Sequence, residues 1–272
     1  VTGASTGIGY ATAHLLARNG YAVFAGVRNE NDAAKLQALH GEMRTVFLDV
    51  QQRDTIRQTF DVIAQSGVQL QGVVNNAGIA VAGPLEYVPL EDFRRQFDVN
   101  VFGALAVTQA ALPFLRKALG RVIFMGSVSG QIAPPFVGAY AASKFALEAM
   151  ADAMRVELAP FGISVSILEP GNVRTPIWEK GRSEKDALMA RVPAEAVAYY
   201  GPAIEKLVRV TEREERTGIN PEIVAQAVLH ALRAPKPRAR YAIGNPPGWQ
   251  RRFAMLLPAH LRDKLVSRSF ET

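Results

Sequence analysis

Thr2-Gly3-Ala4-Ser5-Thr6-Gly7-Ile8-Gly9 stands at the head of the chain, ahead of the helical run Ala11-Thr12-Ala13-His14-Leu15-Leu16-Ala17. Its glycines are spaced Gly-x3-Gly-x-Gly. Between a strand and a helix, such glycines permit a tight turn and let the backbone approach a pyrophosphate at the helix N-terminus. Taken alone, the pattern also fits an ordinary glycine-rich turn. Val1-Thr2-Gly3 reads as the end of a strand, so the natural chain is expected to begin a few residues upstream.

Beyond this turn, short β-rich runs alternate with amphipathic helical runs. Asn19-Gly20 stops the first helix. Tyr21 to Val27 reads as a strand, Asn31 to His40 as a helix, and Thr45 to Leu48 as a strand. Asp54 to Gln65 is helical with Ile56, Phe60 and Ile63 on one face, and Gly72 to Asn75 is a strand. Leu90 to Leu119 is a long helical run, in one piece or two. Arg121 to Met125 is a strand, Ala139 to Phe161 a helix, and Ile163 to Leu168 a strand. The strands are apolar on both faces and their connections are helix-sized. Both facts predict an α/β fold: one doubly wound (Rossmann) parallel sheet of about seven strands with helices on both faces.

One catalytic domain is expected over residues 1–232. It includes a substrate lid at about 176–219, where the pattern loosens around Trp178, Tyr199, Tyr200 and Pro202. A helix from Pro221 to Leu232 follows, with Asn220 as N-cap and Pro221 at its first position. Residues 233–272 form a basic C-terminal extension.

The 272 residues carry a net charge of +6, unevenly placed. Residues 233–272 hold nine Lys and Arg against Asp263 and Glu271, while residues 1–232 are nearly neutral. A neutral body argues against a nucleic-acid partner. The tail is amphipathic, with Trp249, Phe253, Leu256, Leu257, Leu261 and Leu265 among its cations. It packs on protein, or lies peripherally on an anionic membrane. The absence of cysteine excludes disulfides and thiol catalysis and fits a reducing, cytoplasmic setting. No segment reads as a signal peptide or a membrane span. His14, His40, His230 and His260 are scattered, so no metal site is expected.

Tyr140 and Lys144 are i and i+4 on one helix and share a face. An ammonium beside a phenol favours the phenolate and lowers the tyrosine pKa toward working pH, which makes a general acid/base. Without the glycine turn, a Tyr-x3-Lys pair is ordinary packing beside a solvated lysine.

Together these features resemble the classical short-chain dehydrogenase/reductase family. The resemblance rests on Thr2 to Gly9, Asn75-Asn76-Ala77-Gly78, Asn100, Ser127 thirteen residues before Tyr140, Lys144, and Pro170-Gly171-Asn172-Val173-Arg174-Thr175. It covers Val1 to about Leu232. Local wording such as Ser143-Lys144-Phe145-Ala146-Leu147-Glu148 is nearest to the steroid and retinol dehydrogenase branches.

The resemblance implies a role for each residue. Tyr140 would exchange the proton with the substrate oxygen, and Ser127 would donate a hydrogen bond to it. Lys144 would stabilise the phenolate and hold the nicotinamide ribose. Asn100 would hold a water linking Lys144 to solvent. Gly3, Ser5, Thr6, Gly7, Ile8 and Gly9 would cradle the pyrophosphate. Asp49 and Val50 would meet the adenine, and Asn76, Ala77 and Gly78 would lie along the nucleotide. Pro170, Gly171, Val173 and Thr175 would close the nicotinamide end. The hydride belongs to the cofactor.

Cofactor choice is set at the end of the second strand. A site for NAD places a carboxylate there, about twenty residues past the glycines, for the ribose 2′-hydroxyl. Here Val27 and Arg28 occupy that place, and an arginine fork pairs with a 2′-phosphate. NADP(H) is therefore expected, with NAD the other candidate. Ile132 and Phe136, in an apolar loop between Ser127 and Tyr140, and Trp178 in the lid are candidate substrate contacts. They suggest a steroid-, retinoid- or fatty-type alcohol, ketone or aldehyde. The alternative is a non-catalytic dinucleotide sensor or scaffold on the same fold. Such a protein should have lost members of the Ser-Tyr-Lys set, and all three stand here. The resemblance further implies a homodimer or homotetramer built on the long helices.

Overall fold

The computed structural model describes residues 1–37, 43–177, 193–244 and 256–271. The expected Rossmann-type α/β fold is present. Helix α1 (Gly7–Arg18) leads to strand β1 (Val23–Val27), α2 (Glu30–Gln37), β2 (Met43–Phe47), α3 (Arg53–Gln65) and β3 (Gly72–Asn75). Then come α4 (Leu90–Phe97), a π-helical segment (Asp98–Gly103), α5 (Ala104–Ala118) and β4 (Arg121–Met125). The rest is α6 (Gly138–Leu158), β5 (Ser164–Pro170), α7 (Ala194–Thr217), α8 (Pro221–Arg233), β6 (Arg240–Ile243) and α9 (Ala259–Glu271).

All strand pairs are parallel: β1 with β2, and β3-β4-β5-β6 in that order. Residues 1–4 join the two sets. Gly26 donates to the Val1 carbonyl at 2.9 Å and Ala4 to the Gly26 carbonyl at 3.0 Å. On the other side Thr2 donates to the Val74 carbonyl at 3.0 Å. The hydrogen-bonded order is thus β2, β1, residues 1–4, β3, β4, β5, β6. Six strands plus this short segment stand among the described residues.

Every residue of β1 is buried, as are all but the first of β4 and of β5. Helices cover both sheet faces, which is why these strands lack an alternating polar face. Ile56, Phe60 and Ile63 of α3 pack with Val107, Ala111 and Leu115 of α5 and Leu147 of α6 on one face. On the other face lie Ala13 and Leu16 of α1, Leu36 of α2 and Leu229 of α8. Phe124 at the centre of β4 is fully buried, and burying a ring of that size contributes about 1.5–3 kcal/mol.

Local expectations at helix ends are met. Gly20 follows α1 at φ 80°, and the Asn220 side chain accepts from the Glu222 amide at 3.0 Å to open α8. Leu90–Ala118 is long and apolar enough to cross a membrane by composition. Its inward residues, among them Val99, Val107, Ala111 and Leu115, are buried in the core beside the sheet.

Two boundaries are corrected. The sheet does not end before residue 233, because β6 pairs Arg240 with Ile167 and Ile243 with Pro170. Its four residues, in a charge-rich stretch, are too short to show a strand pattern in sequence. The stretch expected to be an irregular lid is helical from Ala194 to Thr217. Gly201 and Pro202 inside it disguised the period, and among its described side chains a narrow stripe of Ala196, Ile204 and Leu207 is buried.

The tail's cations are partly absorbed as well. Arg233 donates to the Asn19 side chain at 3.0 Å and to its carbonyl at 2.9 Å, and Arg240 is ion-paired inside the fold. Leu256 and Leu261 are exposed; Trp249 and Phe253 lie outside the described residues.

Candidate active site

In a doubly wound sheet, a crevice opens outside the carboxyl ends of the strands where the connections change direction. Here the chain passes from residues 1–4 through α1 to β1 and β2, then crosses through α3 to β3 on the other side. The cleft at that point takes a residue from the end of nearly every strand. Arg28 follows β1, Asp49 and Val50 follow β2, Asn76 to Gly78 follow β3, Ser127 follows β4, and Gly171 follows β5.

Of the residues expected at the cofactor, Gly3, Ser5, Thr6, Gly7 and Ile8 line one side of this cleft, and Pro170, Val173 and Thr175 line the other. Tyr140 and Lys144 line its far end. Gly9 is the exception, since it does not line the cleft. A Cβ there would lie 2.1 Å from the Gly3 carbonyl oxygen and 2.4 Å from Asn76 Nδ2. Gly9 therefore permits the close packing of α1 beneath the turn. Gly7 serves differently, with φ at 57°, a left-handed conformation that side chains resist.

The residues fit a dinucleotide. Helix α1 starts at Gly7 with no side-chain cap from Thr6 and no acidic residue in its first turn. Its first N–H groups and its dipole therefore face the cleft, which suits a pyrophosphate. Arg28 is exposed at the rim. Thr2 fixes the loop opposite: its hydroxyl accepts from the amides of Asn76 and Ala77, each at 2.9 Å. Asn76 Nδ2 donates back to the carbonyls of Thr2 and Gly3 at 3.0 and 3.1 Å. The Asn76 side chain is architectural, and the backbone of this loop shapes the cleft.

At the far end, Lys144 is buried, and its Nζ donates to the Met125 carbonyl at 2.7 Å. Nζ lies 5.5 Å from the centre of the Tyr140 ring. Ser127 caps a short 3-10 turn (Val128–Gly130), its hydroxyl accepting from the Ser129 amide at 3.1 Å, and it also hydrogen-bonds Tyr140.

The expected fall in the Tyr140 pKa is not what this geometry gives. Burial pushes the phenol above its ordinary value, and the Ser127 hydrogen bond opposes that. Burial draws Lys144 down to about 8, with Glu148 working the other way. Burial thus favours the neutral phenol at Tyr140 and disfavours the charge on Lys144 beside it.

The Asn100 side chain is bonded within the protein. Its Oδ1 accepts from the Ile79 amide at 2.9 Å, and Nδ2 donates to the Ile79 carbonyl and Ser143 Oγ, each at 3.1 Å. Ser143 in turn donates to the Tyr140 carbonyl at 2.7 Å. The Asn100 side chain therefore ties the π-helical segment to α6 and to the loop at Ile79.

Gln96 escaped sequence reading. It is fully buried, accepts from the Val81 amide at 2.7 Å and donates to the Ile79 carbonyl at 2.8 Å. Its position four residues before Asn100 was the available signal.

The candidate substrate contacts divide. Ile132 and Phe136 are half-buried beside the cleft and do not line it. Phe136, at φ 64°, packs edge-on against Tyr200 of α7, which also meets Tyr87. The Tyr200 hydroxyl donates to Glu86 at 2.8 Å. Pro176 and Ile177 line the cleft after Thr175; Trp178 lies outside the described residues.

A parallel sheet with a glycine-turn cleft and a Ser-Tyr-Lys end defines a dinucleotide-dependent oxidoreductase by class. The chain belongs to the short chain dehydrogenase family, whose sequence model matches residues 1–186. It is 37% identical over 277 residues to retinol dehydrogenase 5 of Mus musculus, across 98% of this chain and 85% of that protein. It is 32% identical over 281 residues to an NADPH-dependent 3-dehydrocapnine reductase of Ornithobacterium rhinotracheale, across 100% of this chain and 96% of that protein. A solved short chain dehydrogenase/reductase from Burkholderia phymatum in complex with NAD shares the fold. Its TM-score is 0.80 at 24% identity, over 97% of this chain and 93% of that one. The protein is thus an oxidoreductase of that family.

Proposed function

We propose that this protein is an NADP(H)-dependent oxidoreductase that interconverts a hydrophobic alcohol with its ketone or aldehyde. The observation that carries the reading is convergence: Ser127, Tyr140 and Lys144 meet at one end of the cleft whose other end is the glycine turn. A non-catalytic sensor would have no need of that arrangement.

The dinucleotide supplies the hydride when bound. In reduction, Tyr140 gives its proton to the carbonyl oxygen, and Ser127 donates a second hydrogen bond to that oxygen. Lys144, as an ammonium, steadies the negative charge left on Tyr140. In oxidation the proton returns to Tyr140. Met125, through its carbonyl, holds the ammonium in place.

NADP(H) is favoured over NAD(H) because the end of β1 offers Arg28 and no carboxylate at Val27 or Arg28. The name of the Ornithobacterium relative agrees with that preference. A hydrophobic substrate is favoured by the apolar loop from Ile132 to Val137, the Phe136-Tyr200 contact, and Ile177 at the cleft. The name of the mouse relative points the same way.

The test is a panel of steroid, retinoid and fatty ketones, aldehydes and alcohols, followed by nicotinamide absorbance with each cofactor. Turnover of hydrophobic carbonyls with NADPH over NADH supports the reading. Cofactor binding with no turnover across the panel overturns it in favour of a sensor.

A further inference from the structure

Tyr140, Lys144, Glu148 and Asp152 follow one another at four-residue intervals on α6 and form one stripe along the helix. The stripe starts in the cleft and ends at Asp152, whose side chain is half-exposed. Arg240 reaches it from β6. One guanidinium nitrogen pairs with Glu148 Oε2 and, at 3.0 Å, with Glu169 of β5; the other meets Asp152 at 2.6 Å. Arg155 takes the other Asp152 oxygen at 2.8 Å.

Arg240 faces three carboxylates, Glu148, Glu169 and Asp152, and Glu169 and Asp152 both repel a charge on Glu148. Glu148 Oε1 is buried without a hydrogen-bond partner, which adds a desolvation cost. The next cation along the stripe is Lys144.

Both residues are packed against the turn that follows β4. A Cβ on Gly130 would lie 3.0 Å from the Lys144 carbonyl and 3.1 Å from Glu148 Cγ. The turn that begins at Ser127 is therefore pressed directly onto the Lys144–Glu148 turn of α6. Screening between buried charges is weak in such a place.

We propose that Glu148, held by Arg240, is a positioning residue that keeps Lys144 in its ammonium form. The inference rests on the reading of Lys144 as the partner of Tyr140. The charged groups facing Glu148 are Lys144 and Asp152 from α6, Glu169 from β5 and Arg240 from β6. The turn from Ser127 to Gly130 brings none. Burial pushes Glu148 up to about 7, with Glu169 and Asp152 adding to the rise and Arg240 opposing it. Above that pH Glu148 is anionic and raises the pKa of Lys144 against the pull of burial. Without that charge, Lys144 loses its proton at lower pH.

The test reads Lys144 directly, by NMR titration of the full chain with isotope-labelled lysine Cε. The Lys144 signal is assigned by its loss in Lys144→Met. The wild-type midpoint is expected at about 8. Glu148→Gln and Glu148→Met, both neutral and of similar length, should each move it down by about one pH unit. Glu148→Asp keeps the charge and should leave it within a few tenths. A merely structural role would lower the unfolding temperature of the neutral variants and leave the midpoint alone. An unmoved midpoint in whichever neutral variant folds overturns the inference. The titration needs neither substrate nor cofactor, so it fails or stands apart from the oxidoreductase reading, which carbonyl turnover tests.

Discussion

Lys144 Nζ and the carbonyl oxygen of Met125 are 2.7 Å apart, a bond that anchors the catalytic helix α6 to the end of β4. The bond favours the ammonium, and burial opposes it strongly enough to draw Lys144 to about 8. The proposed reduction needs that ammonium and a protonated Tyr140. Since burial raises Tyr140, Lys144 is the first of the two to lose its proton as pH rises. We expect kcat/KM for carbonyl reduction to fall above about pH 8, near tenfold per pH unit, as one essential proton is lost. A rate flat well beyond that pH would remove Lys144 charge from the mechanism. The same depression has a stability consequence. Between about 8 and 10.5 the unfolded chain binds the Lys144 proton and the folded chain does not. Stability from this residue therefore rises with pH across that window. Denaturant unfolding of Lys144→Met should lack that rise.

Tyr140→Phe keeps the ring against its neighbours and removes the hydroxyl proposed to exchange a proton with the substrate. General acid–base catalysis of this kind contributes about 10²–10⁴-fold. Turnover should fall by at least that much, while NADPH affinity, measured by fluorescence titration, changes by about twofold or less. Undiminished turnover would assign the proton to another residue.

The third prediction concerns Arg28, exposed at the cleft rim just past β1. A charge-assisted bond to a 2′-phosphate contributes about 1.5–3 kcal/mol, which corresponds to roughly ten- to a hundredfold in affinity. Arg28→Asp removes that bond and offers a carboxylate to a 2′-hydroxyl. The ratio of kcat/KM with NADPH to that with NADH should fall by tenfold or more. An unchanged ratio places the choice of cofactor elsewhere in the cleft.

The parts of this site that sequence revealed are local in the chain. The glycine turn, the i, i+4 pair on α6 and the Asn220-Pro221 start of α8 each declare their geometry within a few residues. Other parts depend on distant partners. Arg240 meets Glu148 across 92 residues of sequence, and β6 exists only because β5 lies beside it. Charge counting placed both in the basic C-terminal extension. The raised Tyr140 pKa also needed the fold, because spacing shows a lysine neighbour and says nothing of burial. The helical run from Leu90 hid one more feature. Its π segment breaks the usual period at Asp98–Gly103, so residues on either side face directions that a helical wheel misplaces.

Gln96 stands just before that break, and its buried amide pins the loop leaving β3. It accepts from Val81 at 2.7 Å, donates to Ile79 at 2.8 Å, and reaches Ser143 Oγ at 3.5 Å. Asn100 holds the same Ile79 from one turn further on. Gln96→Ala leaves the Val81 amide, itself buried, without its acceptor, and an orphaned buried group costs about 1–3 kcal/mol. The unfolding temperature should fall by several degrees. Because Ile79 lines the cleft beside Gly78, cofactor KM should rise too, while the pH of the alkaline limb stays where Lys144 sets it. Gln96→Glu tests the same contacts from another side. A carboxylate still accepts from Val81, but it no longer donates to Ile79 and brings an unpaired charge into the core. It should therefore destabilise at least as much as alanine at neutral pH and recover in part as pH falls and the carboxyl gains a proton. Parent-like unfolding in both variants would show that Asn100 alone holds the loop.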